Sequence, residues 1–260
     1  MGDRNSLLRS ILAVTLVLTS MVSISAYASF FGFGGTSWKE EALQNDGSKI
    51  MVTRSQSYGG RHMIGDIQPI KEQSISFALP NTGKVITWKD EATQDIGYAN
   101  FNILALHVLN STPYLVTAPD KCLSYNKWGR PNPPYVFFKF DGSTWHRISL
   151  SEFQVEFKNI NLVIETRNDE KEFTKQSPLK PEVIQKFNSN LSQPEFQTIA
   201  RTPGSYSETG CLNMVSDGKS RWLGIDWFTS QPSIEACLKV CTLQDIDAQH
   251  CPCNSLFKGK

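Results

Sequence analysis

The sequence predicts a mainly β protein: an antiparallel, hairpin-rich domain (sandwich, barrel or partial propeller) with a small α+β, disulfide-stapled C-terminal region. Three observations predict it. Four hairpin-like units follow one another between Trp38 and Ile148. Apolar and polar residues alternate inside them, as in strands with one buried face. Five of the six cysteines lie beyond residue 210. The composition agrees with a folded chain. Hydrophobic residues make up 40% and aromatic residues 11% of the 260 positions, which a disordered chain does not have. Lys and Arg number 26 against 25 Asp and Glu, so no basic excess exists to neutralise nucleic-acid phosphates.

The elements follow in order. Residues 29–37, with three Phe among glycines, read as a flexible leader. The β domain is expected over 38–166. Trp38 to Leu43 and Lys49 to Arg54 flank Asn45-Asp46-Gly47, and Asp-Gly supplies the positive φ that a tight hairpin needs. Ile75, Phe77 and Leu79 alternate with Ser74, Ser76 and Ala78 before Pro80-Asn81-Thr82-Gly83 turns the chain into Lys84 to Trp88. Ile103 to Leu109 and Tyr114 to Thr117 flank Asn110-Ser111-Thr112-Pro113. Tyr135 to Phe140 and Trp145 to Ile148 flank Asp141-Gly142-Ser143-Thr144. Asn161 to Thr166 reads as a buried strand.

The region 167–260 has a different character. Arg167 to Lys175 is charged and reads as a surface linker. Lys180 to Leu191 places Val183, Ile184, Phe187 and Leu191 on one helix face, with Pro178 and Pro181 suited to its first turn. Leu212 to Val215 and Arg221 to Phe228 flank Ser216-Asp217-Gly218, a further hairpin. Ser233 is a candidate cap for a helix from Ile234 to Cys241.

Residues 1–28 read as an export signal. Arg4 and Arg9 precede an apolar run from Ile11 to Val22, and Ala26-Tyr27-Ala28 offers small residues at the positions a signal peptidase requires. Cleavage is expected between Ala28 and Ser29, so the membrane is met only in transit. The alternative is a membrane-tethered subunit that keeps this segment. Losing Asp3, Arg4 and Arg9 leaves acidic and basic side chains equal in number, so bulk charge selects no partner.

An even cysteine count in an exported chain favours disulfides. Cys237 and Cys241 on one helix are poorly aimed at each other, so each is expected to bond to Cys251 or Cys253, with Cys122 joined to Cys211. The alternative is a zinc site using Cys237, Cys241, His250, Cys251 and Cys253, although the paired Cys-x-x-Cys knuckles are missing. No cofactor or metal is expected.

Catalytic signals are sparse. His107 sits in the apolar run Leu104 to Leu109 and reads as a core histidine. His146 reads as a surface residue. His62, with Asp66 nearby, is a weak acid–base candidate. No Gly-x-Ser-x-Gly, phosphate loop or His-Glu-x-x-His occurs. Phe140-Asp141-Gly142-Ser143-Thr144-Trp145 resembles a degraded Asp-box turn of sialidase-type propellers. That likeness implies a hairpin and does not extend to sialidase activity.

The candidate ligand site is Cys122 to Pro134. Tyr125 and Trp128 stand there among Asn126, Lys127 and Arg130. Exposed aromatics beside hydrogen-bonding groups would suit a carbohydrate or a peptide-like ligand, whereas the same aromatics turned inward would make the stretch a lid on the β core.

Trp38-Lys39-Glu40-Glu41, Ile86-Thr87-Trp88-Lys89 and Leu123 to Pro131, together with the signal segment, carry a resemblance to exported bacterial proteins of unknown function. It spans much of residues 36–165 and implies no catalytic residues. The expectation is an exported envelope or periplasmic protein acting as a non-enzymatic binding or structural module. A hydrolase acting on an envelope polymer is the first alternative.

Overall fold

The computed structural model describes residues 35–258 apart from 66, 168 and 205–209. The expected export signal, 1–28, and the first part of the expected leader lie outside the described residues, while Thr36 and Ser37, the end of that leader, already belong to the first strand. Eight strands form two four-stranded antiparallel meanders. The first holds β1 (Thr36–Leu43), β2 (Lys49–Tyr58), β3 (Ile70–Ala78) and β4 (Val85–Glu91) in sequence order. The second holds β5 (Phe101–Leu109), β6 (Thr112–Pro119), β7 (Val136–Phe140) and β8 (Trp145–Ile148).

All four expected hairpins form, and their turns show why. At the β1–β2 turn Gly47 has φ +82, and Asp46 Oδ1 accepts from the backbone N–H of Ser48 at 2.9 Å. The carboxylate supplies the acceptor that the tight turn denies that amide. Asn110 and Ser111 take φ +49 and +60, the two positive values of a two-residue hairpin loop.

The two meanders share one core. Ala42, Ile50, Val52, Ile75, Phe77, Ile86 and Trp88 from the first meet Phe101, Ile103, Leu106, Leu115, Val136, Phe138 and Phe140 from the second. β4 alternates strictly between exposed and buried positions, so its outer face meets solvent. The second sheet is covered on its other face too. Leu104, Ala105, Tyr114, Val116 and Phe137 pack there against Phe153, Phe157, Ile164 and Ile199. Burial on both faces is the reason Ile103 to Leu106 is a continuous apolar run rather than an alternating one.

Two expectations are corrected here. Asn161–Thr166 is buried but is not a strand. Its backbone groups are taken mostly by side chains. Val163 N–H donates to Glu40 Oε2 at 3.0 Å, Ile164 N–H to Asn188 Oδ1 at 3.1 Å, and Asn188 Nδ2 to the Leu162 carbonyl at 2.8 Å. A segment so engaged needs no strand neighbour. The charged stretch after it is not a linker. Helix α2 (Glu170–Gln176) buries Phe173 against Trp38, with ring centroids 5.4 Å apart, and against Phe187 of helix α3 (Pro181–Asn188). Leu179 bonds to β1 in both directions, through Glu41 N–H and the Lys39 carbonyl. Residues 170–200 therefore finish the covering of the β layers, and residues 34–260 form one compact unit.

The tail has its own small core. Strands β9 (Met214–Ser216) and β10 (Trp222–Gly224) form the expected hairpin. Helices α4 (Asp226–Thr229), α5 (Ile234–Leu243) and α6 (Cys253–Leu256) gather Phe228, Cys237, Cys241, Ile246 and Cys253 inside. Ser233 caps α5 by accepting from Ala236 N–H.

A buried ion pair ties the layers. Arg54 lies 3.4 Å from Glu40, with side-chain exposures of 1% and 0%. Arg54 also donates to the Val163 carbonyl, and Trp38 Nε1 donates to Glu40 at 2.7 Å. Burial pushes the Glu40 carboxyl up, opposed by Arg54, the Val163 amide and the Trp38 indole. Removing one member leaves the other charge buried and alone. Glu40→Ala is expected to cost about 3–5 kcal/mol of stability in urea unfolding. Replacing Glu40 with Leu and Arg54 with Met together is expected to cost less than the sum of the single changes, and strict additivity would refute the coupling.

Candidate functional site

The stretch Cys122–Pro134 begins as helix α1 (Lys121–Lys127), not as a loop. Its sequence has no helical apolar period, which is why the helix was not legible. Tyr125 is 6% exposed. Trp128 is half-buried, its ring 4.6 Å from Phe101 and 6.1 Å from Phe138, with its Nε1 directed at Asn100 Oδ1 at 3.3 Å. The Arg147 guanidinium covers the indole at 5.4 Å. Of the two readings of this stretch, the structure has the lid: both rings turn inward and no solvent-facing platform is formed by them.

The polar residues of the same stretch hold the chain's own tail. Asn126 Nδ2 donates to the Leu212 carbonyl at 2.9 Å, and Asn126 Oδ1 accepts from Met214 N–H at 3.0 Å. Arg130 donates to the carbonyls of Leu212 and Cys211 at 3.2 and 3.1 Å, and its guanidinium lies 4.9 Å from the Tyr125 ring. Lys127 pairs with Asp95 at 3.0 Å, and Trp222 Nε1 donates to the Asp95 carbonyl at 3.1 Å. Amide and guanidinium groups that read backbone are the chemistry of peptide recognition. Here the peptide recognised is Cys211–Met214.

The Cys122–Cys211 disulfide locks that contact. Cys237 bonds to Cys253, and Cys241 to Cys251. Among the described residues no cysteine is free. The sulfurs of Cys241, Cys251 and Cys253 lie within 4.8 Å of one another, as zinc ligands would. Each is already committed to a disulfide, and zinc needs thiolates. His250, the fifth member of that set, pairs instead with Asp247 at 2.7 Å.

The other histidines stand apart. His107 is fully buried, stacks on Phe157 at 4.5 Å and bonds to the Asn159 carbonyl at 2.9 Å. Burial drives its pKa from 6.5 down to about 4, with the Asn159 bond opposing. His146 contacts Asp141 at 2.7 Å on an exposed turn. Asp141 Oδ1 also accepts from the amides of Ser143 and Thr144, both at 2.8 Å. Those amides, with His146, hold its carboxyl far below the usual range. Trp145 packs on Phe140 beside this turn, so the Asp-box likeness holds as local geometry. His62 is exposed and bonds to the Gly60 carbonyl at 2.8 Å, while its suggested partner Asp66 lies outside the described residues.

Sequence reading missed a polar cluster assembled from distant segments. Asp120 lies 3.9 Å from Arg167 and accepts from Asn102 at 3.4 Å. Arg167 also reaches Glu165 at 3.3 Å, and Lys121 Nζ sits 4.8 Å from the Tyr98 ring. Burial raises the Asp120 carboxyl against Arg167 and Lys121. Burial and Asp120 together push the Tyr98 hydroxyl up to about 12. No local motif links these positions, so only the fold reveals them.

Two open hollows mark the surface, the first against the second sheet. One, of about 420 Å³, is lined by Pro131, Asn132, Pro133, Tyr135, Arg147 and Ser149 among others. The other, of about 650 Å³, lies between the β1–β2 turn and residues 155–159. The chain matches no family model, no curated protein and no solved structure.

Two outcomes are expected. Asn126→Ala removes the acceptor of Met214 N–H, so that amide should exchange with solvent at least tenfold faster in a chain whose β core exchanges normally. Unchanged exchange at Met214 would show that the disulfide alone holds the tail. For His107, the folded chain binds fewer protons than the unfolded chain between pH 4 and 6.5. Stability therefore rises with pH across that window and is complete above it, and full protonation costs about 3 kcal/mol. His107→Gln should flatten the stability–pH slope there, and an unchanged slope would assign it to other groups.

Proposed function

We propose that this chain is an exported, disulfide-stapled, β-rich envelope or periplasmic protein that acts as a non-enzymatic binding or structural module. The observation that carries the reading is the pairing of all six cysteines into three disulfides. Such bonds persist in oxidising compartments and are rare where glutathione keeps thiols reduced. Among the described residues no helix is long and apolar enough to cross a membrane. The ligand expected from sequence, a carbohydrate or a peptide-like group, is better served by the hollow beside Pro131 and Pro133 than by the aromatics of α1. Proline rings there offer apolar surface, and exposed Arg147 and Ser149 offer polar contacts. No specific observation favours the hydrolase alternative.

The test is the native protein itself. Its intact mass is expected to lack residues 1–28 and to rise on reduction by two hydrogens for each of the three disulfides. A mass unchanged by reduction would sink the export reading. A full-length mass in the membrane fraction would establish the tethered alternative instead. Material that co-purifies with the native protein should be lost on Arg147→Ala if the hollow is the binding site.

A further inference from the structure

The loop between β2 and β3 carries a surface that neither the fold nor the sites above explain. Every described residue from Gly60 to Gln68 is exposed. Among them Met63 is 75%, Ile64 107% and Ile67 68% exposed. Scattered single apolar residues on a surface are ordinary, but three large ones crowded into five positions at a hairpin's tip are not.

The tip is held out from a fixed base. Gly59 N–H donates to the Pro69 carbonyl at 3.0 Å, closing the neck of the loop. Arg61 N–H donates to the Gly97 carbonyl at 2.9 Å, and the Arg61 guanidinium to the Gln94 carbonyl at 3.0 Å. The approach is close enough that a Cβ on Gly60 would lie 2.2 Å from the Gly97 oxygen. The loop is therefore clamped to the segment before β5, and the apolar tip projects beyond the clamp.

Cations ring the base. Arg61, Lys71 and Lys121 are all exposed. The Lys71 chain lies against Gly59, and Lys121 covers Tyr98, the neighbour of Gly97. The loop's sequence contains one acid, Asp66. An apolar tip with a basic collar is the arrangement that enters a membrane interface: the tip leaves water among the acyl chains while the collar stays at the headgroups. A protein partner fits less well. Stable protein interfaces bury about 1,200 Å² or more, and a convex tip of three side chains offers far less.

We propose that Met63, Ile64 and Ile67 form a bilayer-docking tip, and that Arg61, Lys71 and Lys121 direct it to anionic lipid. This assignment rests on the loop and the cations at its base, and stands or falls separately from the reading of the hollow.

The experiment uses the chain from Ser29, since residues 34–260 form one compact unit. It is mixed with vesicles of phosphatidylcholine alone or phosphatidylcholine with phosphatidylglycerol, then sedimented. Binding is expected to favour the anionic vesicles and to weaken as salt rises. The triple change Met63→Ser, Ile64→Ser, Ile67→Ser should lower binding at least about a hundredfold, from about fivefold for each side chain that would be only partly buried. Its circular dichroism and thermal midpoint should match the parent's, because all three side chains already face solvent. Lys71→Gln with Lys121→Gln should abolish the preference for anionic vesicles. Failure of the parent to sediment with anionic vesicles, or undiminished binding by the triple variant, would overturn the proposal. Equal binding to both vesicle types would overturn the role of the collar.

Discussion

The structure depends on how one irregular segment is satisfied. Residues 161–166 run through the interior without a strand's hydrogen-bond ladder, and a buried backbone in that state is costly unless every group finds a partner. Glu40 and Arg54 supply two of those partners, at the amide and the carbonyl of Val163. Asn188 supplies two more, at Leu162 and Ile164. Asn161 turns its own side chain outward from the segment, accepting from Leu106 N–H and donating to the carbonyls of Leu43 and Leu106. The segment thus joins β1, β2, β5 and α3 through side chains. The bonds around the ion pair oppose the rise that burial imposes on the Glu40 carboxyl.

The opposite end of the shared core has a matching clamp. Asp90 on β4 accepts from Gln73 on β3, from Asn100 and from the amide of Phe101. The Asn100 carbonyl in turn accepts from Ser124 of α1 and from the Asp120 amide. Through α1 the order passes to the tail, where Asn126, Arg130 and the Cys122–Cys211 bond take hold. The polar groups between the two meanders fix which strand faces which. The apolar core alone would tolerate a slip.

Much of the architecture was legible before any coordinates. Asp46-Gly47 and Asp141-Gly142 announce turns because their chemistry is local, and the alternation in Ile75 to Leu79 announces a half-buried strand for the same reason. The division of cysteines among partners was legible because i and i+4 sulfurs on a helix point away from a mutual bond. What could not be read depends on distance. Phe173 is a lone aromatic in a charged run, and only Trp38 and Phe187 turn its segment into a helix with a buried face. Tyr125 and Trp128 look like a binding platform until Phe101 and Phe138 occupy the space beneath them. Of the candidate site, Asn126 and Arg130 hold Cys211–Met214 and Lys127 pairs with Asp95, partners that lie too far along the chain to be read from the stretch itself. The Asp120–Arg167–Tyr98 cluster had no sequence signature.

The disulfides of the tail are nested: Cys241–Cys251 lies inside Cys237–Cys253, while Cys122–Cys211 closes ahead of both. A chain that emerges from its N-terminus presents Cys237 and Cys241 before either partner arrives. Random oxidation at that moment would join the wrong two sulfurs. Once helix α5 forms, it opposes this, since both thiols lie on one face and are poorly aimed at each other. Cys251 then follows before Cys253, and the inner loop is available to close first. Secondary structure thus disfavours one wrong pairing, Cys237 with Cys241, and leaves the division of Cys251 and Cys253 to the packing of the tail.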